Sequence, residues 1–214
     1  MNDIHPLSIH LDHQYIIESM KNGEVPNMFP YVSPIDSFED RDISIELKLK
    51  QSLQSIMLKD EINKLGMWGY ISQNGAQWLV ERFPGKTWLD PFSGRGWLAK
   101  ALRDAGAVVI AGDIDPNNPV TDVITSDAFD LVEKYKDQAD ILLISWTYDD
   151  SDVDYKAALS FGKDKDIILY GHTGVCFSSA LVNSLSFEED LSEHPDMIAR
   201  PMERQVMVRC KIGN

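Results

Sequence analysis

Positive charge is what this chain has least of. Its 214 residues hold 20 Lys and Arg against 34 Asp and Glu, a formal net charge of -14. Nucleic-acid backbones are bound by clustered cations that release counterions. The balance therefore argues against a broad nucleic-acid surface and leaves room only for a local basic groove. Long hydrophobic runs are missing too: no stretch reaches the ~18 apolar residues of a membrane span, and the polar N-terminus, with Asp3, His5 and Asp12, does not read as a secretory leader. Cysteine is nearly absent. Cys176 and Cys210 stand apart without metal-ligand spacing and read as reduced core thiols in a cytoplasmic protein. No repeat or low-complexity tract interrupts the chain.

What is present is a sizeable apolar fraction, 43% of residues, enough for one large domain with an appendage. Residues 1–66 read as a partly helical N-terminal extension and 67–214 as the main domain. In the extension Pro6, Pro26, Pro30 and Pro34 break the segment into short pieces. A short helix fits 12–20 and a longer one 42–65, with Leu49, Leu53 and Ile56 on one face and Leu58, Ile62 and Leu65 on another, though the alternation Ile43, Ile45, Leu47, Leu49 also fits a short strand at its start. His5, His10 and His13 invite a metal site, but their spacing does not set three ligands on one helix face, so no metal is expected. Trp68 and Tyr70 precede a helix over 72–83, with Ser72 as its N-cap. These two aromatics either cover a ligand cradle or pack the lead-in onto the domain.

The main domain is organised around residues 87–105. A short apolar run ends in Asp90, the chain passes Gly94 and Gly96, and a helix follows with Ala99, Leu102 and Ala105 on its buried stripe. A strand, a glycine turn and a helix N-terminus make a cradle for a nucleotide-like ligand, because glycine lets the backbone approach closely. Further strands fit 107–112, 120–125, 141–145 and 167–170, separated by helices over 130–135 and 154–161. A helix over 178–185 follows, and the tail from 197 to 212 holds one or two more strands. This alternation predicts a doubly wound, mostly parallel α/β sheet.

Open parallel sheets bind ligands beyond the carboxyl ends of their strands. Asp90, Asp113, Asp127 and Ser145 all fall at or just after predicted strand ends. Each aspartate alone reads as a helix cap or a solvated loop acid; together they point to a nucleoside-type site. Asp113 suits a ribose, since a carboxylate accepts from both hydroxyls of a vicinal diol. The acids Asp149, Asp150, Asp152 and Asp154 read as a solvated loop with a helix N-cap, or as a site for a cationic acceptor.

The run Asp90-Pro-Phe-Ser-Gly-Arg-Gly96, with Gly112-Asp113, Asp127-Ala128 and Leu142-Leu-Ile-Ser-Trp-Thr-Tyr148, resembles the class I S-adenosylmethionine-dependent methyltransferases over roughly residues 66–185. The resemblance implies a Rossmann-like sheet of the seven-stranded type and S-adenosylmethionine as cofactor. It places the methionine part on Asp90, Gly94 and Gly96, with Phe92 in the seat of the first usual glycine. It places the ribose on Asp113 with Ile114 beside it, and the adenine amino group on Asp127 with Ala128. Ser145 lies between cofactor and acceptor, Tyr148 flanks the acceptor, and His172 is the candidate base. Asp-Pro-Phe resembles a variant of amino-methylating DNA enzymes, but the two prolines those enzymes carry before the aromatic are absent from Ser145-Trp-Thr-Tyr148.

The implied reaction is in-line methyl transfer to an unidentified acceptor, a small molecule or protein rather than generic DNA, with no membrane partner. Two other readings stand beside it. Gly94-Arg-Gly96-Trp-Leu-Ala99 fits the looser dinucleotide loop of an oxidoreductase, though Asp90 would set a carboxylate near the pyrophosphate. The missing prolines suit a non-enzymatic binding module on a degenerate methyltransferase fold.

Overall fold

The computed structural model describes residues 6–29, 45–147, 151–172, 175–192 and 205–213. In chain order the elements are α1 (Pro6–Lys21), α2 (Ile45–Lys64), α3 (Gln73–Arg82), β1 (Thr87–Asp90), α4 (Trp97–Asp104), β2 (Val108–Asp113) and β3 (Ile124–Thr125). There follow α5 (Ala128–Tyr135), β4 (Ile141–Ser145), α6 (Val153–Phe161), β5 (Asp166–His172), α7 (Ser179–Ser184), β6 (Leu185–Asp190) and β7 (Gln205–Ile212).

The strands form one sheet in the order β3-β2-β1-β4-β5-β7-β6. β1 pairs in parallel with β2 and β4, β2 with β3, and β4 with β5, whereas β7 runs antiparallel between β5 and β6. The expected doubly wound, mostly parallel α/β sheet is therefore present. Side chains alternate across it with the period of two that a strand imposes. Trp88, Ile141, Leu143, Ile168 and Tyr170 pack on one face with α1 to α4. Leu89, Leu142, Ile144, Ile167 and Leu169 pack on the other with α5, α6 and α7. Both faces are covered, which is why the central strands read as unbroken apolar runs.

The first helices join this core. Ile16, Ile17, Met20, Leu58 and Ile62 lie in the same cluster as Trp88 and Leu102. On α2 the buried face carries Leu58 and Ile62, while Leu53 and Ile56 are exposed. Both stripes are apolar, and only the packing against the sheet chooses between them. Helix α1 begins at Pro6, earlier than the 12–20 expected, and Pro6 occupies a first-turn position where its missing N–H costs nothing. Ser72 caps α3 by accepting from the Gly75 N–H at 3.0 Å, as its position implied.

The largest departures are at the sheet's ends. β3 is two residues long instead of spanning 120–125, because only Ile124 and Thr125 pair with β2. The Val120 N–H instead donates to the Arg95 carbonyl at 2.8 Å. Leu185 does not extend α7 but opens β6, a strand with a mostly exposed face that the helical reading of 178–185 passed over.

A buried acid fastens the region after β4. Asp154 is fully buried rather than solvated. Its Oδ1 accepts from the Ser178 hydroxyl at 2.6 Å and the Tyr155 N–H at 2.7 Å, and its Oδ2 from the Ser178 N–H at 2.8 Å and Thr147 Oγ1 at 3.3 Å. Ser178 in turn caps α7 by accepting from the Leu181 N–H at 3.1 Å. One carboxylate thus ties the β4 exit to two helix starts. Asp154→Ala leaves several buried donors unpaired, each costing roughly 1–3 kcal/mol, so its denaturant midpoint should drop by at least ~2 kcal/mol of stability. A midpoint equal to the parent's would show that water replaces the carboxylate.

Candidate functional site

The sheet order reverses between β1 and β4, and the loops leaving these two strands with the β2 end enclose the site. Between β1 and α4 the chain turns through Gly94 and Gly96, both in the left-handed region with φ 52° and 82°. At Gly96 a side chain is excluded as well, since a Cβ would stand 2.8 Å from Val123 Cγ2 and 2.9 Å from Thr121 Cγ2. Gly94 instead faces open space, with nothing within 4 Å of where its Cβ would be.

The N–H groups of this loop point inward. Phe92 N–H donates to Asp90 Oδ1 at 3.3 Å, Ser93 N–H to the Gly112 carbonyl at 3.0 Å and Gly96 N–H to the Ser93 carbonyl at 2.7 Å. Gly94 N–H donates to Asp113 Oδ2 at 2.7 Å, and Asp113 Oδ1 accepts from the Asp115 N–H at 3.0 Å. An anion at this loop would find these four donors already engaged. The loop is also gripped from outside, because the Leu65 carbonyl at the end of α2 accepts from Arg95 Nη1 at 2.7 Å and Trp97 Nε1 at 2.8 Å.

Asp90 lies beneath the loop with 0% exposure, and its Oδ2 has no hydrogen-bond partner. Burial pushes its carboxyl up from 3.8 to about 7; the Phe92 N–H and the Arg103 guanidinium pull down, and the nearby Asp113 charge pushes up. Arg103 is held at a distance by its own bonds, with Nη2 donating to the Val109 carbonyl at 2.7 Å and Nη1 to Thr121 Oγ1 at 2.9 Å.

Beside the loop is a cavity of about 390 Å³, within the ~300–1,000 Å³ range of small-molecule sites. Phe92, Ser93, Gly94, Asp113 and Ser145 line one part of it. Trp68, Gly69, Trp146, Tyr170, Val175 and Cys176 line the other. Trp68 is 55% exposed on this wall, whereas Tyr70 is buried in the core against Phe29. The two aromatics before α3 thus take different roles. Trp146 has a left-handed backbone, φ 51°, as does Phe177, φ 73°. For a residue with a Cβ this conformation costs roughly 1–2 kcal/mol, so the exits of β4 and β5 carry strain.

The other predicted residues fall in three groups. Ser145 is buried on the cavity wall, with Oγ 3.5 Å from the Phe92 carbonyl. Asp127 is exposed and caps α5, its Oδ1 accepting from the Phe129 N–H at 2.8 Å. Neither it nor the buried Ala128 nor the exposed Ile114 is on the cavity wall. His172 is half-buried at the end of β5 and likewise off the wall. Tyr148, with Asp149 and Asp150, lies outside the described residues, as does His5. Among the described residues no three His, Cys, Asp or Glu side chains gather in a metal-binding group, and no helix is long and apolar enough to cross a membrane. Sequence reasoning passed over Trp97, Trp146, Tyr170 and Cys176; only their nearness to the ends of β4 and β5 and to the glycine loop marked them.

No family model matches the chain, and no curated protein matches its sequence. Among solved structures, the putative methyltransferase yhhF from Escherichia coli has 13% identity over 64% of this chain and 82% of its own, with a TM-score of 0.40. A SAM-dependent methyltransferase from Archaeoglobus fulgidus has 13% identity over 65% and 94%, TM-score 0.42. The mitomycin 7-O-methyltransferase MmcR has 16% identity over 98% and 69%, TM-score 0.46. Likenesses this distant assign no activity, acceptor or cofactor. The fold rests on the chain's own sheet, seven-stranded and mostly parallel with β7 antiparallel, which is the doubly wound α/β architecture expected.

The unpaired acid has a measurable consequence. A carboxyl raised in the folded state binds its proton there while the unfolded chain has released it, so stability falls as pH rises from about 4 to about 7. The full penalty, on the order of 4 kcal/mol, is reached above pH 7. Asp90→Asn should therefore be more stable than the parent at pH 8, by a few kcal/mol, and the gap should close near pH 4. Equal denaturant midpoints at pH 8 would mean that the carboxylate is well paired.

Proposed function

We propose that the chain is an S-adenosylmethionine-dependent methyltransferase acting on an acceptor in the cavity at the ends of β4 and β5. One observation carries the reading: the N–H groups of Phe92, Ser93, Gly94 and Gly96 are given to protein acceptors, Asp113 stands on the cavity wall, and Asp90 is buried beneath the loop with one oxygen unpaired. That is the wrong polarity for a pyrophosphate and the right one for a ligand with an ammonium, a sulfonium and a ribose diol. It separates this reading from the dinucleotide alternative more sharply than the glycine spacing does.

The residues present fit the cofactor on the structure's own terms. Gly94 leaves open space, Asp113 retains lone pairs beyond the two N–H bonds it accepts, and Asp90 holds beneath the loop a carboxyl that has one oxygen without a partner. S-adenosylmethionine supplies an electrophilic methyl group on a cationic sulfur. The protein's contribution is to hold, align and exclude water, the terms that dominate when no proton has to move first. Asp90 and Asp113 anchor the cofactor, Phe92 and Ser145 wall it from the acceptor, and Tyr148 flanks the acceptor. Asp127 remains a proposed adenine contact only if it leaves its cap, and His172 acts as a base only by reaching the cavity from its present place.

Calorimetric titration with S-adenosylhomocysteine and with NAD separates the cofactor classes. S-adenosylhomocysteine should bind and NAD should not; tight binding of NAD alone would overturn the proposal, and binding of neither favours the non-enzymatic module. Asp113→Ala should weaken S-adenosylhomocysteine at least tenfold, from loss of a charged hydrogen-bond partner worth roughly 1.5–3 kcal/mol. Circular dichroism must show the variant folded, because Asp113 also holds the Gly94 N–H. A folded variant with parental affinity contradicts the ribose assignment.

A further inference from the structure

The half of the cavity away from the glycine loop has a chemistry of its own. Its walls are the rings of Trp68, Trp146 and Tyr170, with Val175 and Cys176. Two of its polar groups have partners, since Tyr170 donates its hydroxyl to the Tyr70 carbonyl at 2.6 Å and Thr147 Oγ1 donates to Asp154 at 3.3 Å, while the buried Trp146 Nε1 has none among the described residues. Asp154 is itself buried behind that wall and accepts four hydrogen bonds. Among the described residues no Lys, Arg or Glu lines the cavity, and its one acid, Asp113, belongs to the glycine-loop part.

The ring wall is also built with some care for shape. Gly69 lies so close to it that a Cβ would stand 2.5 Å from Tyr170 Cε1 and 2.6 Å from Trp146 Nε1. Trp146 keeps its ring there at the expense of a left-handed backbone. Trp68, beside Gly69, is left largely exposed at the cavity's edge. A large exposed indole beside a wall of further rings is an arrangement for stacking a flat partner.

We infer that this half of the cavity binds an uncharged, planar aromatic molecule, stacked on Trp68 and against Trp146, with Tyr170 buried behind them. An anionic partner finds no cation there. A cationic partner gains the ring faces but meets no free carboxylate there among the described residues and must give up its hydration. The inference rests on the reading that the glycine-loop half holds S-adenosylmethionine, and names the acceptor class that the remaining half suits.

The test uses three probes of one ring size: 2-naphthol, 2-naphthoate and 2-naphthylmethylammonium, titrated into the full chain with and without saturating S-adenosylhomocysteine. With S-adenosylhomocysteine bound, 2-naphthol should bind at least tenfold more tightly than either charged probe. Trp68→Ala and Trp146→Ala should each weaken 2-naphthol at least tenfold while leaving S-adenosylhomocysteine within about threefold. Trp68 is exposed, so its variant remains informative even if the Trp146 variant does not fold. A charged probe that matches or exceeds 2-naphthol, a Trp68 variant with parental affinity, or no 2-naphthol binding to the S-adenosylhomocysteine complex overturns the inference without touching the cofactor reading. Selective 2-naphthol binding by a protein that ignores S-adenosylhomocysteine would instead leave the aromatic slot standing and remove the methyltransferase proposal.

Discussion

A carboxylate buried without a full set of partners is the constraint around which the rest of this structure is arranged. Asp90 ends β1 in the centre of the sheet, inaccessible to water, with one oxygen accepting a long bond from Phe92 and the other accepting none. The strand that carries it is paired on both sides, and the Trp88 and Leu89 side chains bury into the two faces. Such an acid weakens the fold at neutral pH, and in the proposed function its charge is matched by the cationic cofactor.

The surrounding loop makes the same argument from the opposite sign. A glycine turn before a helix is ordinarily a place for anions, because its N–H groups are free. Here the N–H groups of Phe92, Ser93, Gly94 and Gly96 are turned onto Asp90, Asp113 and backbone carbonyls. Asp113 then does two things at once, fastening the loop to β2 and presenting a carboxylate at the cavity. The grip of Arg95 and Trp97 on the end of α2 extends this order outward, so the segment bearing Trp68 is positioned by the same loop. The N-terminal helices are thereby part of the site's support and share the core of the sheet.

Much of this was legible in the sequence because the signals were local or periodic. The strand at 141–145 and the helix N-cap at Ser72 follow directly from an apolar run and a capping residue, and the glycine loop from its two glycines. Asp90 and Asp113 stand at the ends of β1 and β2, as their places after apolar runs imply. What failed depended on distant partners. Two apolar stripes on α2 look alike until the sheet selects Leu58 and Ile62. Asp154 sits in an acidic run and looks solvated, yet Ser178, 24 residues on, makes it a buried node. Asp127, to which the resemblance gives an adenine contact, caps α5 through the Phe129 N–H, a local role that its place just before the helix also allowed. The cavity's aromatic wall joins residues 68, 146 and 170, which no spacing rule connects.

The most direct test of the central claim is the proton balance of cofactor binding. Titrating S-adenosylmethionine into the protein at pH 6.5, in buffers of different ionisation enthalpy, measures the protons released per site. A carboxyl raised to about 7 is mostly protonated at that pH and must ionise to face a cation, so the account predicts net release of a large fraction of one proton. The release should be absent from Asp90→Asn. Tight binding with an enthalpy independent of the buffer would contradict it.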